Sequence, residues 1–163
     1  MEKLEVLTQT IHFKGHRNVL CTHRNTVEIT KDECISKRAD CILGVEASCG
    51  CRDLHPDLKA HIKAGGSLRF EIRVKNFVFI FSGKGSPNLE LTDPQEIVLR
   101  RSDYGSPRTA AILCDSAAID IPRPMIDFLK NPDTEGEFKI SALNEIRLPE
   151  SEIPEIVFAG LID

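Results

Sequence analysis

A gapless offset of seventy residues lays one part of this chain over another, and little constrains a fold more than a sequence that repeats itself. Between residues 14–43 and 84–113, eight of thirty positions are identical: Lys14/Lys84, Gly15/Gly85, Asn18/Asn88, Thr22/Thr92, Ser36/Ser106, Arg38/Arg108, Ile42/Ile112 and Leu43/Leu113. Average composition gives roughly two by chance. Several mismatches keep their physical character, as in Val19/Leu89, Val27/Ile97, Ile29/Leu99 and Lys31/Arg101. The expectation is an internal duplication, residues 8–75 and 77–142, packed about a pseudo-two-fold axis within one domain spanning 1–163.

Periodicity supplies the contents of each repeat. Phe70, Ile72 and Val74 alternate with Arg69, Glu71, Arg73 and Lys75, and Val27 and Ile29 alternate with Thr26, Glu28 and Thr30. Both patterns predict strands with one face exposed. The run Cys41, Ile42, Leu43 and Val45, with its counterpart at 110–114, predicts a strand covered on both faces. Its expected cover is a helix over 56–64, where Leu58 and Ile62 are four apart and Gly65-Gly66 stops the chain. The second helix is expected at 122–130, carrying Met125 and Leu129, after a register shift of three residues. Each repeat then reads as four strands, a helix and a strand: 8–13, 18–22, 26–30, 40–46, 56–64 and 67–75, followed by 77–82, 88–92, 96–101, 109–115, 122–130 and 136–142. The predicted class is mainly β, sandwich or barrel-like, with two short helices. Asp93-Pro94 marks a turn in the second repeat, and His23-Arg24-Asn25 fills the same place in the first.

At 163 residues the chain is long enough to bury a core without disulfide or metal staples. Its start, MEKLEVLTQT, lacks the basic and apolar regions of a signal peptide, and no run is long enough to span a bilayer. Six cysteines then read as reduced thiols in a cytosolic protein. Net charge is −4, but residues 133–163 carry eight acids against Lys139 and Arg147, a local −6 that leaves +2 elsewhere. Such a balance argues against a stand-alone nucleic-acid binder. The acidic extension 144–163 contains the apolar stretch 153–162, which could add an edge strand or dock on a protein partner.

The segment Gly15-His16-Arg17-Asn18-Val19, then Thr22-His23, Thr26, Glu28 and Thr30, and later Asp40-Cys41-Ile42 with Gly44-Val45, resembles an archaeal family catalogued as domain of unknown function 371. The resemblance runs from about residue 10 to residue 142. It implies a small β-sandwich-like intracellular domain with no assigned activity. Ala39 stands where the pattern has Gly, and Asn25 where it has Thr; the Cys49-Gly-Cys51 pair and the tail fall outside the pattern.

Residues that recur in both repeats are most simply explained by the needs of the folding unit. Gly15 and Gly85 are expected at a turn or bulge, and Asn18 and Asn88 on local backbone. Chemistry that differs between repeats is more informative: His16 against Ser86, His23 against Asp93, Asp40 against Ala110, Cys41 against Ala111. His16, His23, Asp40 and Cys41 are the candidate catalytic or ligating groups. Strand parity sets His16 and His23 on opposite faces and separates Asp40 from Cys41, while Arg38 and Asp40 share a face and read as an ion pair. Cys49 and Cys51 lack the second pair that a structural zinc site needs, so no metal site is assigned. Gly83-Lys84-Gly85-Ser86 lacks the spacing of a phosphate loop and reads as a turn. The charged face of strand 67–75, with Arg100 and Arg101, is a candidate basic surface.

Arg38 and Arg108 have the strongest claim as ligand-binding residues, because guanidinium forks suit phosphate or carboxylate. The leading expectation is a binding domain that holds an anionic small molecule in the groove between repeats. A metal-assisted hydrolase or lyase using His16, His23, Asp40 and Cys41 is the first alternative, and a module of a larger, RNA-associated assembly the second. The residues name no cofactor.

Overall fold

A computed structural model of the chain describes residues 3–145. In order come β1 (Lys3–Lys14), β2 (Thr26–Thr30), β3 (Ile42–Gly44), α1 (Pro56–Lys63), β4 (Ser67–Val74), β5 (Phe77–Lys84), β6 (Glu96–Arg100), β7 (Thr109–Ala111), α2 (Arg123–Leu129) and β8 (Glu135–Glu145). A 3-10 turn precedes each helix, at Cys51–Asp53 and Ala118–Asp120. The protein is mainly strand, in two four-stranded sheets ordered β1-β8-β4-β5 and β3-β2-β6-β7. Each order maps onto its own reverse when β1, β2, β3 and β4 trade places with β5, β6, β7 and β8.

The elements follow from side-chain pattern. On β4, Leu68, Phe70, Ile72 and Val74 are all buried, and Phe70 meets Phe81 of β5 at 5.0 Å and Phe138 of β8 at 6.0 Å between ring centroids. Burying each such side chain is worth roughly 2–3 kcal/mol. Pro56 opens α1, His55 Nδ1 accepts from Asp57 N at 3.0 Å, and Leu58 and Ile62 are buried. Gly65 ends the helix at φ +78°, a conformation glycine adopts without strain. One core draws on both sheets and both helices. Backbone pairs Lys14–Val45 and Lys84–Ile112 join the sheets at two corners, which makes the sandwich barrel-like.

Several expectations are corrected. Residues 18–22 and 88–92 are not strands, because Cys21 and Leu91 take φ of +50° and +56°, which breaks an extended run. The alternation there is real, but Val19, Cys21, Leu89 and Leu91 act as buried pegs of irregular segments. The carbonyls of Leu20 and Cys21 find their donor in Arg123, at 3.2 and 3.0 Å, rather than in a neighbouring strand. The predicted strands 40–46 and 109–115 shorten to β3 and β7. β3 packs against α2, not α1, so the cover comes from the other half of the chain.

Gly15 and Gly85 mark close approach, not a turn or bulge. A Cβ on Gly15 would overlap the carbonyl of Leu129 at the end of α2, and one on Gly85 the carbonyl of Ile62 at the end of α1. The two halves also interlock through their turns: Arg52 N donates to Asp93 O at 2.9 Å and Ile119 N to His23 O at 3.0 Å.

The register shift of three falls earlier than the helices. Glu28 N donates to Cys41 O at 2.9 Å, and Val98 N to Arg108 O at 2.8 Å. Thr22 and His23 N donate to Asp40 O, while Thr92 and Asp93 N donate to Pro107 O. Arg108 therefore occupies the place of Cys41, not of Arg38.

Candidate functional site

β2 and β6 pair antiparallel with Glu28 opposite Val98, so two positions seventy residues apart meet at the middle of the second sheet. Val27, Ile29, Ile97 and Leu99 point into the core, which leaves Thr26, Glu28 and Thr30 beside Glu96, Val98 and Arg100 on the outer face. That face is not open, as alternation alone suggested. Glu28 is only 4% exposed and Thr30 0%.

Arg108 closes over it from the start of β7. Its Nη1 donates to Glu28 Oε1 at 3.0 Å and to Glu96 Oε1 at 2.9 Å. From the start of β3, Cys41 Sγ donates to the other Glu28 oxygen, Oε2, at 3.2 Å. Thr26 bonds Cys41 in turn and lies 3.0 Å through Oγ1 from His23 Nδ1. A chain of contacts thus runs from His23 through Thr26, Cys41 and Glu28 to Arg108 and Glu96, crossing from one half of the molecule to the other.

Electrostatics follow from this packing. Burial pushes the Glu28 carboxyl up to about 7, reinforced by the hydrogen bond and negative charge of Glu96; Cys41 and Arg108 oppose the rise without cancelling it. Burial works to lower the pKa of Arg108, and Glu28 and Glu96 together overcome it, so that guanidinium stays charged. The Cys41 thiol is pushed up to about 12, first by burial and then by Glu28. It is a hydrogen-bond donor here, not a thiolate nucleophile.

Arg100 completes the cluster. Its Nε donates to Thr109 Oγ1 at 2.9 Å and its guanidinium carbon lies 4.9 Å from the ring centroid of Tyr104, a residue 61% exposed. Burial lowers the pKa of Arg100, and the neighbouring positive charge of Arg108 lowers it further. Arg100 and Arg108 thus stand on one partly open surface, Arg100 anchored on the residue that follows Arg108.

Of the residues singled out from sequence, His23, Cys41 and Arg108 come together and His16, Arg38 and Asp40 do not join them. His23 Nδ1 accepts from the backbone N–H of Asn25 and Thr26, both at 3.1 Å, and Asp93 Oδ1 accepts from Gln95 and Glu96 N, both at 2.8 Å. Each residue caps the corresponding turn of its own half, with the side chain accepting from the backbone two and three residues on. His16 Nδ1 likewise accepts from Asn18 N at 3.0 Å, as Ser86 Oγ does from Asn88 N at 3.3 Å. Arg38 is exposed, and among the described residues it forms no ion pair with Asp40. Asp40 contributes its backbone carbonyl.

Cys49 and Cys51 are buried donors to Gly50 O and Arg108 O, each at 3.2 Å. Among the described residues no group of His, Cys, Asp and Glu is arranged to hold a metal ion. The supposed basic surface is split, because Arg100 belongs to the second sheet, with Arg101 just after it, while Arg73 of the first is tied to Glu71 at 2.9 Å. A hollow of about 330 Å³ over that first sheet, lined by His12, Arg73, Lys75, Glu135 and Glu137, carries charges of both signs. Glu28 and Glu96 were missed from sequence because a glutamate at an alternating position reads as solvent-facing. The clue was the Glu28/Val98 mismatch within the seventy-residue overlay.

No helix among the described residues is long and apolar enough to cross a membrane. The chain matches the family model described as Domain of unknown function (DUF371) over residues 11–143. It is also similar to an uncharacterized protein of Methanocaldococcus jannaschii, 34% identical over 120 residues, which covers 74% of this chain and 89% of that protein.

Proposed function

Since the chain belongs to the DUF371 family, which carries a fold but no assigned activity, we propose from the site itself that it is a binding domain for an anionic small molecule. The ligand is held on the outer face of the second sheet, at the seam between the halves, by Arg100 and Arg108. One observation carries this reading: Arg108 bonds the buried carboxyl of Glu28, which burial pushes up to about 7, and Arg100 is anchored on Thr109 beside it, near enough for the two positive charges to oppose one another. With Glu28 protonated, Glu96 alone balances two guanidinium charges. An incoming phosphate or carboxylate supplies the missing negative charge and accepts from N–H groups that the glutamates leave free. Tyr104, exposed over Arg100, offers a flat apolar surface to a ligand that carries a ring.

A thermal-shift screen with pyrophosphate, citrate and nucleotides tests this reading. A stabiliser is expected whose effect is stronger at pH 6 than at pH 8 and is lost in Arg100→Ala. Absence of any stabilising anion, or one whose effect survives Arg100→Ala with Arg108→Lys, rejects it.

A second reading as an enzyme draws on the same carboxyl, since a glutamate near pH 7 that is hydrogen-bonded to another can take up and return a proton. It assigns acid–base work to Glu28 and Glu96 and leaves Cys41 as a positioning donor. Turnover of a bound anion that vanishes in Glu28→Gln while binding persists favours this reading over simple binding. The interaction role expected of residues 144–163 lies almost wholly outside the described residues.

A further inference from the structure

The outer edge of β5 ends one side of the first sheet, and part of its backbone is unpaired. Ser82 N and O bond Asp115, and Lys84 N and O bond Ile112, so even-numbered residues of this strand direct their backbone groups away from β4. Val78 and Ile80 follow the same alternation, and neither takes a backbone partner on that side among the described residues. Their side chains are 45% and 51% exposed. Beyond the edge, on α2, Phe128 is 43% exposed, with its ring 6.1 Å from that of Phe77. The matching places on β1 hold Thr8 and Thr10, so an apolar edge is peculiar to β5.

Natural proteins protect such edges with charge, proline or a covering element. Among the described residues, the segment Phe77–Phe81 has none of these. We propose that it pairs with a second copy of this chain, β5 against β5, antiparallel about Phe79. Val78 of one copy then exchanges hydrogen bonds with Ile80 of the other and the reverse, about four in all. Their side chains stack as cross-strand pairs. Pairing stops at Ser82, whose groups Asp115 already holds, and there the geometry brings Lys75 of one copy toward Asp115 of the other. This match of opposite charge at both ends favours self-pairing.

Sedimentation velocity of the full chain from micromolar to millimolar concentration, with hydrogen exchange at single-amide resolution, tests the proposal. A monomer–dimer equilibrium is expected, with the Val78 and Ile80 amides slowing as dimer forms. Ile80→Lys is expected to raise the dissociation constant at least about tenfold. Ile80→Thr, which keeps strand propensity, should give a smaller rise, and Lys75→Glu should weaken the dimer without touching the ladder. A chain that stays monomeric at millimolar concentration overturns the proposal, whether those amides are open or are protected by residues 153–162. So does a dimer that survives Ile80→Lys unchanged.

Discussion

Glu28 and Val98 face one another across the β2–β6 ladder, related both by backbone pairing and by the seventy-residue offset, yet one carries a carboxyl and the other an isopropyl group. Burial at such a place raises the cost of charge. The Glu28 carboxyl binds its proton more tightly in the folded chain, at about 7, than when unfolded, where the value is the ordinary 4.5. This contribution is therefore complete below the unfolded value and is lost as pH rises through about 7. Roughly 3 kcal/mol is at stake. Glu28→Gln should abolish that part of the pH dependence and leave the variant at least as stable as wild type at pH 8. Urea melts of both proteins between pH 5 and 8 check it, and parallel curves would contradict it.

Arg108 tests the other side of the pair. Arg108→Ala removes the guanidinium that both Glu28 and Glu96 use. The expected loss is about 2–4 kcal/mol at pH 8 and less at pH 5, where Glu28 is protonated. Combining it with Glu28→Gln should recover part of the loss, which a double-mutant cycle in urea would measure. Strict additivity would mean that the two side chains do not interact.

The turn role of His23 is separable from chemistry. His23→Asp installs the residue that does the same work at Asp93, and stability within about 0.5 kcal/mol of wild type is expected; His23→Ala should cost about 1 kcal/mol. Thermal melts decide it. If His23→Asp is as damaging as His23→Ala, the ring does more than cap.

Glycine at 15 and 85 is set by space. Gly15→Ala and Gly85→Ala must each drive a methyl group into the carbonyl at a helix end, so each should lose about 2 kcal/mol or more. Ordinary glycine-to-alanine changes at relaxed positions move stability by less than about 1 kcal/mol, and often upward. Chemical denaturation separates the two outcomes.

Thiol chemistry should single out one residue. Cys34 is exposed, whereas Cys21, Cys49, Cys51 and Cys114 are buried and Cys41 is held near 12. Ellman's reagent at neutral pH is expected to modify Cys34 at least about a hundredfold faster than any other thiol in the native protein. Rapid labelling of Cys41 would show that its bond to Glu28 is open in solution.

Much of the scaffold was legible in the chain. Alternation located β2 and β4 because side chains on a strand divide cleanly between two faces. Proline, the i,i+4 apolar pairs and Gly65 located both helices within a residue or two. The irregular segments 18–22 and 88–92 were not, because buried pegs also alternate and only backbone φ tells them from a strand. Identity misled at Arg38 and Arg108: a gapless overlay matched like letters, whereas hydrogen bonding matched Cys41 with Arg108. Glu28 escaped notice because its burial comes from Arg108 and Cys41, both remote along the chain. A common origin of the halves is an inference that the matching sheet orders favour.

Between β2 and β3 the chain spends eleven residues, and between β6 and β7 it spends eight. Surface connections usually vary without consequence. Here the spacer works like the setting of a vernier: trimming it slides the downstream letters against an unmoved frame, and a guanidinium arrives in the slot where a thiol would stand. Relatives whose spacers differ by a few residues would thus carry altered side-chain chemistry on the same scaffold, with no substitution at the slot itself.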